Sequence, residues 1–226
     1  MQDNSNYINS NMVSITGVIA SEKIFSHEVY GEGFYNFFVE VERLSDASDF
    51  LPVTVSERII DENFVMGKKV HISGQIRSYN NYAESEGRSR LVLTVFVKDL
   101  VLANDEMPDG IDEKTPNDVY LKGYICKTPI YRTTPFGREI ADLLIAVNRS
   151  YKKSDYIPCI AWGRNARFSN KLEVGDNITI WGRMQSRVYQ KKIDEENTIE
   201  RTAYEVSVSK LEFNAVEDDP ELENNE

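Results

Sequence analysis

Histidine and cysteine are almost missing from this 226-residue chain, which has two of each: His27, His71, Cys126 and Cys159. That scarcity removes the raw material for a Cys-His or Ser-His-Asp set, and the cysteines have no metal-ligand spacing. No Walker loop occurs, and the acidic residues are not spaced as a metal site or a catalytic carboxylate pair. Catalysis, a bound metal and a cofactor are therefore not expected. No apolar run reaches membrane-spanning length, and the opening MQDNSNYINSN has no basic stretch followed by an apolar one. The expectation is a cytoplasmic protein with free thiols and no membrane partner.

Positive charge is also short overall, with 26 Lys and Arg against 37 Asp and Glu and a net charge of −11. Its distribution matters more than its total. Residues 12–104 are net −4, whereas residues 117–215 are net +4; the stretch 105–116 adds −4 and the end 216–226 adds −6. A polyanion would therefore meet an attractive surface only in the second half.

An internal repeat explains the division. A shift of 106 residues places Val13, Ile15 and Gly17 on Val119, Leu121 and Gly123. It also places Arg43 on Arg149, Asp49 on Asp155 and Pro52 on Pro158. After a two-residue insertion Gly74 meets Gly182 and Ser78 meets Ser186. Two units of ordinary domain size follow, 12–104 and 117–215. DEMPDGIDEKTP, residues 105–116, reads as a solvated linker, and the acidic 216–226 is too poor in apolar residues to pack.

Within the second unit, alternation marks strands over 119–125, 141–147, 156–162, 177–184 and 202–208. Residues 165–174, stopped by Gly175, suit a short helix between the third and fourth strands, and 57–66 before Gly67 suit one in the first unit. Five strands with a helix between the third and fourth is the order of an OB-fold, a partly open barrel. The chain is thus expected to be all-β, with two tandem OB-folds.

The pivotal stretch is Asp155–Gly163, D-Y-I-P-C-I-A-W-G. By strand parity Ile157, Cys159 and Ala161 share one face, suited to a core, while Tyr156, Pro158, Ile160 and Trp162 share the other. Two exposed rings there would accept stacked bases, and a strand buried on both sides is the competing reading. Trp181, opposite in parity to Ile180, would either stack a base or cover a subunit contact.

The segments 117–123 (NDVYLKG), 133–149 (TTPFGREIADLLIAVNR), 155–164, 182–189 (GRMQSRVY) and 201–208 (RTAYEVSV) resemble the bacterial single-stranded DNA-binding proteins. The resemblance covers nearly all of 117–215 and is weak in the first unit. It implies an OB-fold that binds single strands regardless of sequence in replication, recombination or repair, and a nucleoid-associated place in the bacterial cytoplasm. It implies stacking on Tyr151, Tyr156, Trp162 and Tyr189. Cations suited to phosphate are Arg149, Lys152, Lys153, Arg164, Arg183, Arg187, Lys191 and Lys192, the last two in a polar loop, QKKIDEENTIER.

In the first unit the matching positions are Ser45, Phe50, Ser56 and Asn81, so one ring of four remains, although Tyr79 and Tyr82 are close. Its core positions Leu51, Val53 and Val55 persist. The first unit is expected to supply interface more than DNA contacts. The resemblance implies assemblies of four OB-folds, hence a homodimer of this two-fold chain. Replication proteins are possible partners, but the family's apolar tail tip is replaced here by Asn224-Asn225-Glu226. The acidic total leaves a second class open: an OB-fold adaptor of the replication or restart machinery that binds protein. RNA also remains open as the single strand.

Overall fold

The computed structural model describes residues 10–45, 47–83, 88–103, 107, 109–111, 113–150, 152–192 and 198–214, without the side chains of 82, 83, 88, 89 and 192. The strands of the first half are β1 (Asn11–Ile19), β2 (Ile24–Val29), β3 (Glu32–Glu42), β4 (Ser48–Ser56), β5 (Lys69–Ala83) and β6 (Arg88–Ala103). The second half holds β7 (Asn117–Thr133), β8 (Glu139–Arg149), β9 (Lys153–Trp162), α1 (Arg164–Ser169), β10 (Asn177–Lys192) and β11 (Thr198–Phe213).

Each half closes on itself in the OB order. In the second, β7 pairs with β8, β8 with β9, β9 in parallel with β11, β11 with β10, and β10 returns to β7. The first repeats this with β1 and β2 together in the role of β7. Leu51, Val53 and Val55 fill one barrel, and Ile157, Cys159 and Ala161 fill the other, as alternation requires. Burial drives the Cys159 thiol far above its usual range, so it stays protonated.

Close backbone approach explains a pair of repeated glycines. A Cβ on Gly74 would lie 2.2 Å from the Phe96 carbonyl oxygen, and one on Gly182 would lie 2.2 Å from that of Ser207. Both glycines sit at bulges, where the ladder shifts between Ser73 and Gly74 and between Trp181 and Gly182.

Three sequence expectations are corrected. Residues 57–66 form turns, not a helix. Asp61 Oδ1 accepts the Asn63 N–H at 2.8 Å, and the Asp61 carbonyl accepts the Phe64 N–H, so local turn bonds replace the helical ladder. The second helix does form but is shorter than 165–174, and Leu172 N bonds back to Ser169 O in a tight turn. Lys191 and Lys192 also lie within β10, opposite Ile199 and Thr198, and not in a loop.

The two barrels join through β1 and β7, making one eleven-stranded sheet. Val13 pairs with Val119, its own equivalent under the 106-residue shift. Asn11 pairs with Leu121 and Ile15 with Asn117, which are reciprocal equivalents. That is the geometry of an isologous two-fold contact, here made inside one chain. The linker's described end is anchored: Pro116 O accepts the Thr16 N–H at 2.8 Å, and Lys69 Nζ meets Glu113 at 2.8 Å.

Candidate nucleic-acid interface

The outer face of β9 is built as parity predicts at its ends. Tyr156 is 46% exposed and Trp162 37% exposed. Between them Pro158 is half-buried, and Ile160 is buried because β11 runs parallel alongside, with Ser207 beside it. The ring platforms are therefore two, separated by covered residues. Tyr156 is fixed at its backbone, whose N–H is donated to Ser78 Oγ of the first half at 2.7 Å.

Pro158, Arg187 and Tyr189 line a groove of about 730 Å³ that also takes Pro52, Tyr79 and Arg90 from the first half. The Arg187 guanidinium lies over the Tyr189 ring at 5.6 Å and reaches Glu205 at 3.6 Å. Rings and cations of both halves thus share one concave surface. Tyr151 lies outside the described residues, as do the Lys192 side chain and residues 216–226.

The remaining cations disperse. Lys152 occupies the β8–β9 turn with a left-handed φ of 55°, and Lys153 opens β9; both are exposed. Arg164 is the exposed first residue of α1. Lys191 is half-buried on β10.

Arg149 and Arg183 instead face buried carboxylates at the seam between the barrels, an assignment that composition alone did not reveal. Asp155 accepts the Ser78 N–H at 2.8 Å and pairs with Arg77 at 2.9 Å and Arg149 at 3.6 Å. Asp49 accepts the Ser186 N–H at 2.7 Å and Oγ–H at 3.0 Å, with Arg43 at 2.5 Å and Arg183 at 3.3 Å. Each aspartate reaches from one half into the fourth strand of the other. Burial alone would raise the Asp49 carboxyl. The Arg43 hydrogen bond, the Ser186 donors and the Arg43 charge outweigh it and hold the group below its ordinary range.

The first half's outer face differs in kind. Ser56, at the position of Trp162, hydrogen-bonds the Glu32 carboxylate, and Glu57 accepts the Gly33 N–H at 3.0 Å. Yet a ring has moved across the ladder: Phe34 lies opposite Ser56, where the second half has Ile140 opposite Trp162. Phe34 stacks on His27 at 5.0 Å and leans on Phe96 at 5.7 Å. Trp181 meets Tyr120 edge-on at 5.5 Å, with Lys210 Nζ 4.4 Å from its ring centre. Among the described residues no group of three or more His, Cys, Asp and Glu is placed to hold a metal ion, and no helix is long and apolar enough to cross a membrane.

The fold is that of OB-fold proteins. The single-stranded DNA binding protein from Thermus aquaticus superposes with a TM-score of 0.70 at 18% identity, covering 91% of this chain and 93% of that one. Residues 116–214 match the single-strand binding protein family. Single-stranded DNA-binding protein 1 from Staphylococcus aureus (strain COL) is 37% identical over 83 residues, 34% of this chain and 50% of the relative. Single-stranded DNA-binding protein A from Bacillus subtilis (strain 168) is 35% identical over 83 residues, 34% of this chain and 48% of the relative. The chain spans about half the length of the curated relatives it matches.

Proposed function

We propose that this protein binds single-stranded DNA without sequence preference, by base stacking in a groove held by cations, and that it serves replication, recombination or repair by protecting the strand. The observation that carries this is the pair of exposed rings, Tyr156 and Trp162, on the outer face of β9 in a family-matching barrel whose half of the chain is net positive. Each stacked base contributes about 1–3 kcal/mol and tolerates any sequence, since every base has a π-face. Tyr189, Arg187, Lys152 and Lys153 extend the surface, with Tyr151, Arg164, Lys191 and Lys192 as further contacts. Arg149 and Arg183 act from the seam, their charges shared with Asp155 and Asp49. The role is binding, not catalysis.

We infer a homodimer with four barrels as the working form. Met12, Tyr120 and Trp181 lie in register on neighbouring strands, beside the two-fold of the seam. Met12 is 45% exposed, which leaves an apolar patch for a second copy. Titration with oligothymidylate against a duplex of equal length, at several salt concentrations, tests the function. Preference for the single strand, with log K falling by about 0.7 per phosphate contact per log unit of salt, is expected. Equal affinity for both would sink it and favour a protein-binding adaptor.

A further inference from the structure

A second cleft, of about 760 Å³, opens at the seam on the side of the β8–β9 turn. Its walls come from both halves: Arg77, Phe96 and Lys98 from the first, Arg149 and Lys153 from the second. Four cations thus converge, and Asp155 is the carboxylate that two of them, Arg77 and Arg149, share. Among the described residues neither Lys98 nor Lys153 has an ion-pair partner.

Lys98 is aimed there by a bulge. β5 pairs Ser73 with Asp99 and Gly74 with Val97, which leaves Lys98 as the extra residue. A bulge redirects its side chain out of the normal alternation. Partial burial and the neighbouring Arg77 charge pull Lys98 below the ordinary lysine range, as expected where cations crowd without an anion. Arg77 also lies over the Phe96 ring at 5.9 Å, and Phe96 continues into Phe34 and His27.

The internal two-fold supplies a control. At the equivalent bulge, between Trp181 and Gly182, the extra residue is Ser209, whose hydroxyl is donated to Trp181 O at 3.0 Å. The equivalents of Arg77, Lys153 and Asn148 are Gln185, Ala47 and Glu42. Arg43 and Arg183 remain there, both paired with Asp49, and Glu42 adds a second acid to that side in the sequence. The fold made two equivalent positions, and one of them gathered unneutralised positive charge.

We propose that this cleft is a phosphate-binding passage that carries bound single-stranded DNA across the seam, from the second barrel onto the Phe96–Phe34 rings of the first. The proposal rests on the single-strand reading above and assigns the first half a direct part in binding through Lys98 and Arg77. The cleft's chemistry accepts any phosphate chain, so the test separates DNA from a small polyphosphate.

The full chain and its Lys98→Ala, Lys98→Glu and Lys171→Glu variants are titrated with a long oligothymidylate between 50 and 200 mM salt. Lys171 is an exposed lysine beyond α1 and controls for net charge. Melting curves confirm that each variant is folded, as expected for an exposed bulge residue. Removing one phosphate contact lowers the salt slope by about 0.7, so the ratio of wild-type to Lys98→Ala affinity is expected to fall about threefold across that range. Lys98→Glu is expected to bind more weakly still, with Lys171→Glu close to wild type. Wild-type binding with Lys98 variants no different from Lys171→Glu overturns the passage and leaves the proposed function standing. Failure of the wild type to bind overturns both. Stabilisation by tripolyphosphate that needs Lys98, without any effect of Lys98 on oligothymidylate, marks a small-anion site and overturns the DNA path.

Discussion

Asp49→Ala is the most informative perturbation of the seam. The wild-type carboxylate is 1% exposed and satisfies Arg43 of its own half together with Arg183 and both donors of Ser186 from the other half. Truncation strips two arginines of their partner and leaves the Ser186 N–H without its acceptor. Breaking a buried pair by removing one partner costs about 3–5 kcal/mol. Arg43 and Arg183 keep 27% and 38% of their side chains in water, which places the cost towards the lower end. For a chain of this size about 2–4 °C is lost per kcal/mol, so the melting temperature should drop by roughly 6–12 °C. Asp49→Asn keeps an acceptor for Ser186 and loses the charge, and its drop should be about half as large. The folded Asp49 pKa lies below the unfolded value, so the stabilisation is fully present above the ordinary carboxylate range and disappears as pH falls through the folded pKa. Calorimetry of wild type and variants at pH 7 and in acid reads both effects. A wild-type advantage over Asp49→Ala below about 1 kcal/mol at pH 7, or one that persists undiminished in strong acid, would refute the assignment of Asp49 as the charged lock between the halves.

Trp162→Ala should abolish a large part of the DNA-induced quench of tryptophan fluorescence while the protein stays folded, because Ile157, Cys159 and Ala161 hold the core; melting of the chain instead would make Trp162 a core residue. Gly74→Ala and Gly182→Ala should each destabilise by about 1–3 kcal/mol in thermal melts, since the new methyl meets a carbonyl oxygen at 2.2 Å, and an unchanged melt would contradict the close approach. Trp181→Glu should shift the mass measured by light scattering from two chains to one, and an unchanged mass would remove Trp181 from the contact between chains.

Much of the fold was legible because its signals are local. The 106-residue repeat, the strand alternation and the parity of Asp155–Gly163 depend on residues within one strand or one copy, and they appear in the barrels, except that Ile160 on the outer face is buried. The seam was not legible. Asp49 and Asp155 look like ordinary turn-side acids until β5 and β10 are laid beside them from the opposite copy. Arg149 and Arg183 read as phosphate cations for the same reason: a sequence shows charge but not the long-range carboxylate that holds it. The missing first helix turned on side-chain competition at Asp61 and Asn63, a balance finer than the glycine stop that suggested it. Phe34, with Tyr35, Tyr79 and Tyr82, is legible in the sequence as material for a rearranged platform in the first unit, but its place opposite Ser56 is not, because shift-by-106 matching compares each position only with its own equivalent.

Covalent fusion explains why the asymmetry is possible at all. In a pair of identical chains, every substitution at an isologous contact occurs twice, so a lysine at one bulge is also a lysine at the other. Joining β1 to β7 within a single chain keeps the Val13–Val119 axis but frees the two sides to differ. The interior did not use that freedom: Leu51, Val53 and Val55 stay apolar opposite their equivalents Ile157, Cys159 and Ala161, because packing penalises change in either barrel. The surface did. Lys98 stands against Ser209, Lys153 against Ala47, and Trp162 against Ser56. The outer face of β9 carries Tyr156 and Trp162, whereas the matching strand of the first barrel keeps only Phe50, and the cleft at that barrel's border holds Arg77 and Lys98. Two positions equivalent by the repeat thus acquire unequal charge, and a flexible polyanion leaving the second barrel meets attraction at one of them and near balance at the other.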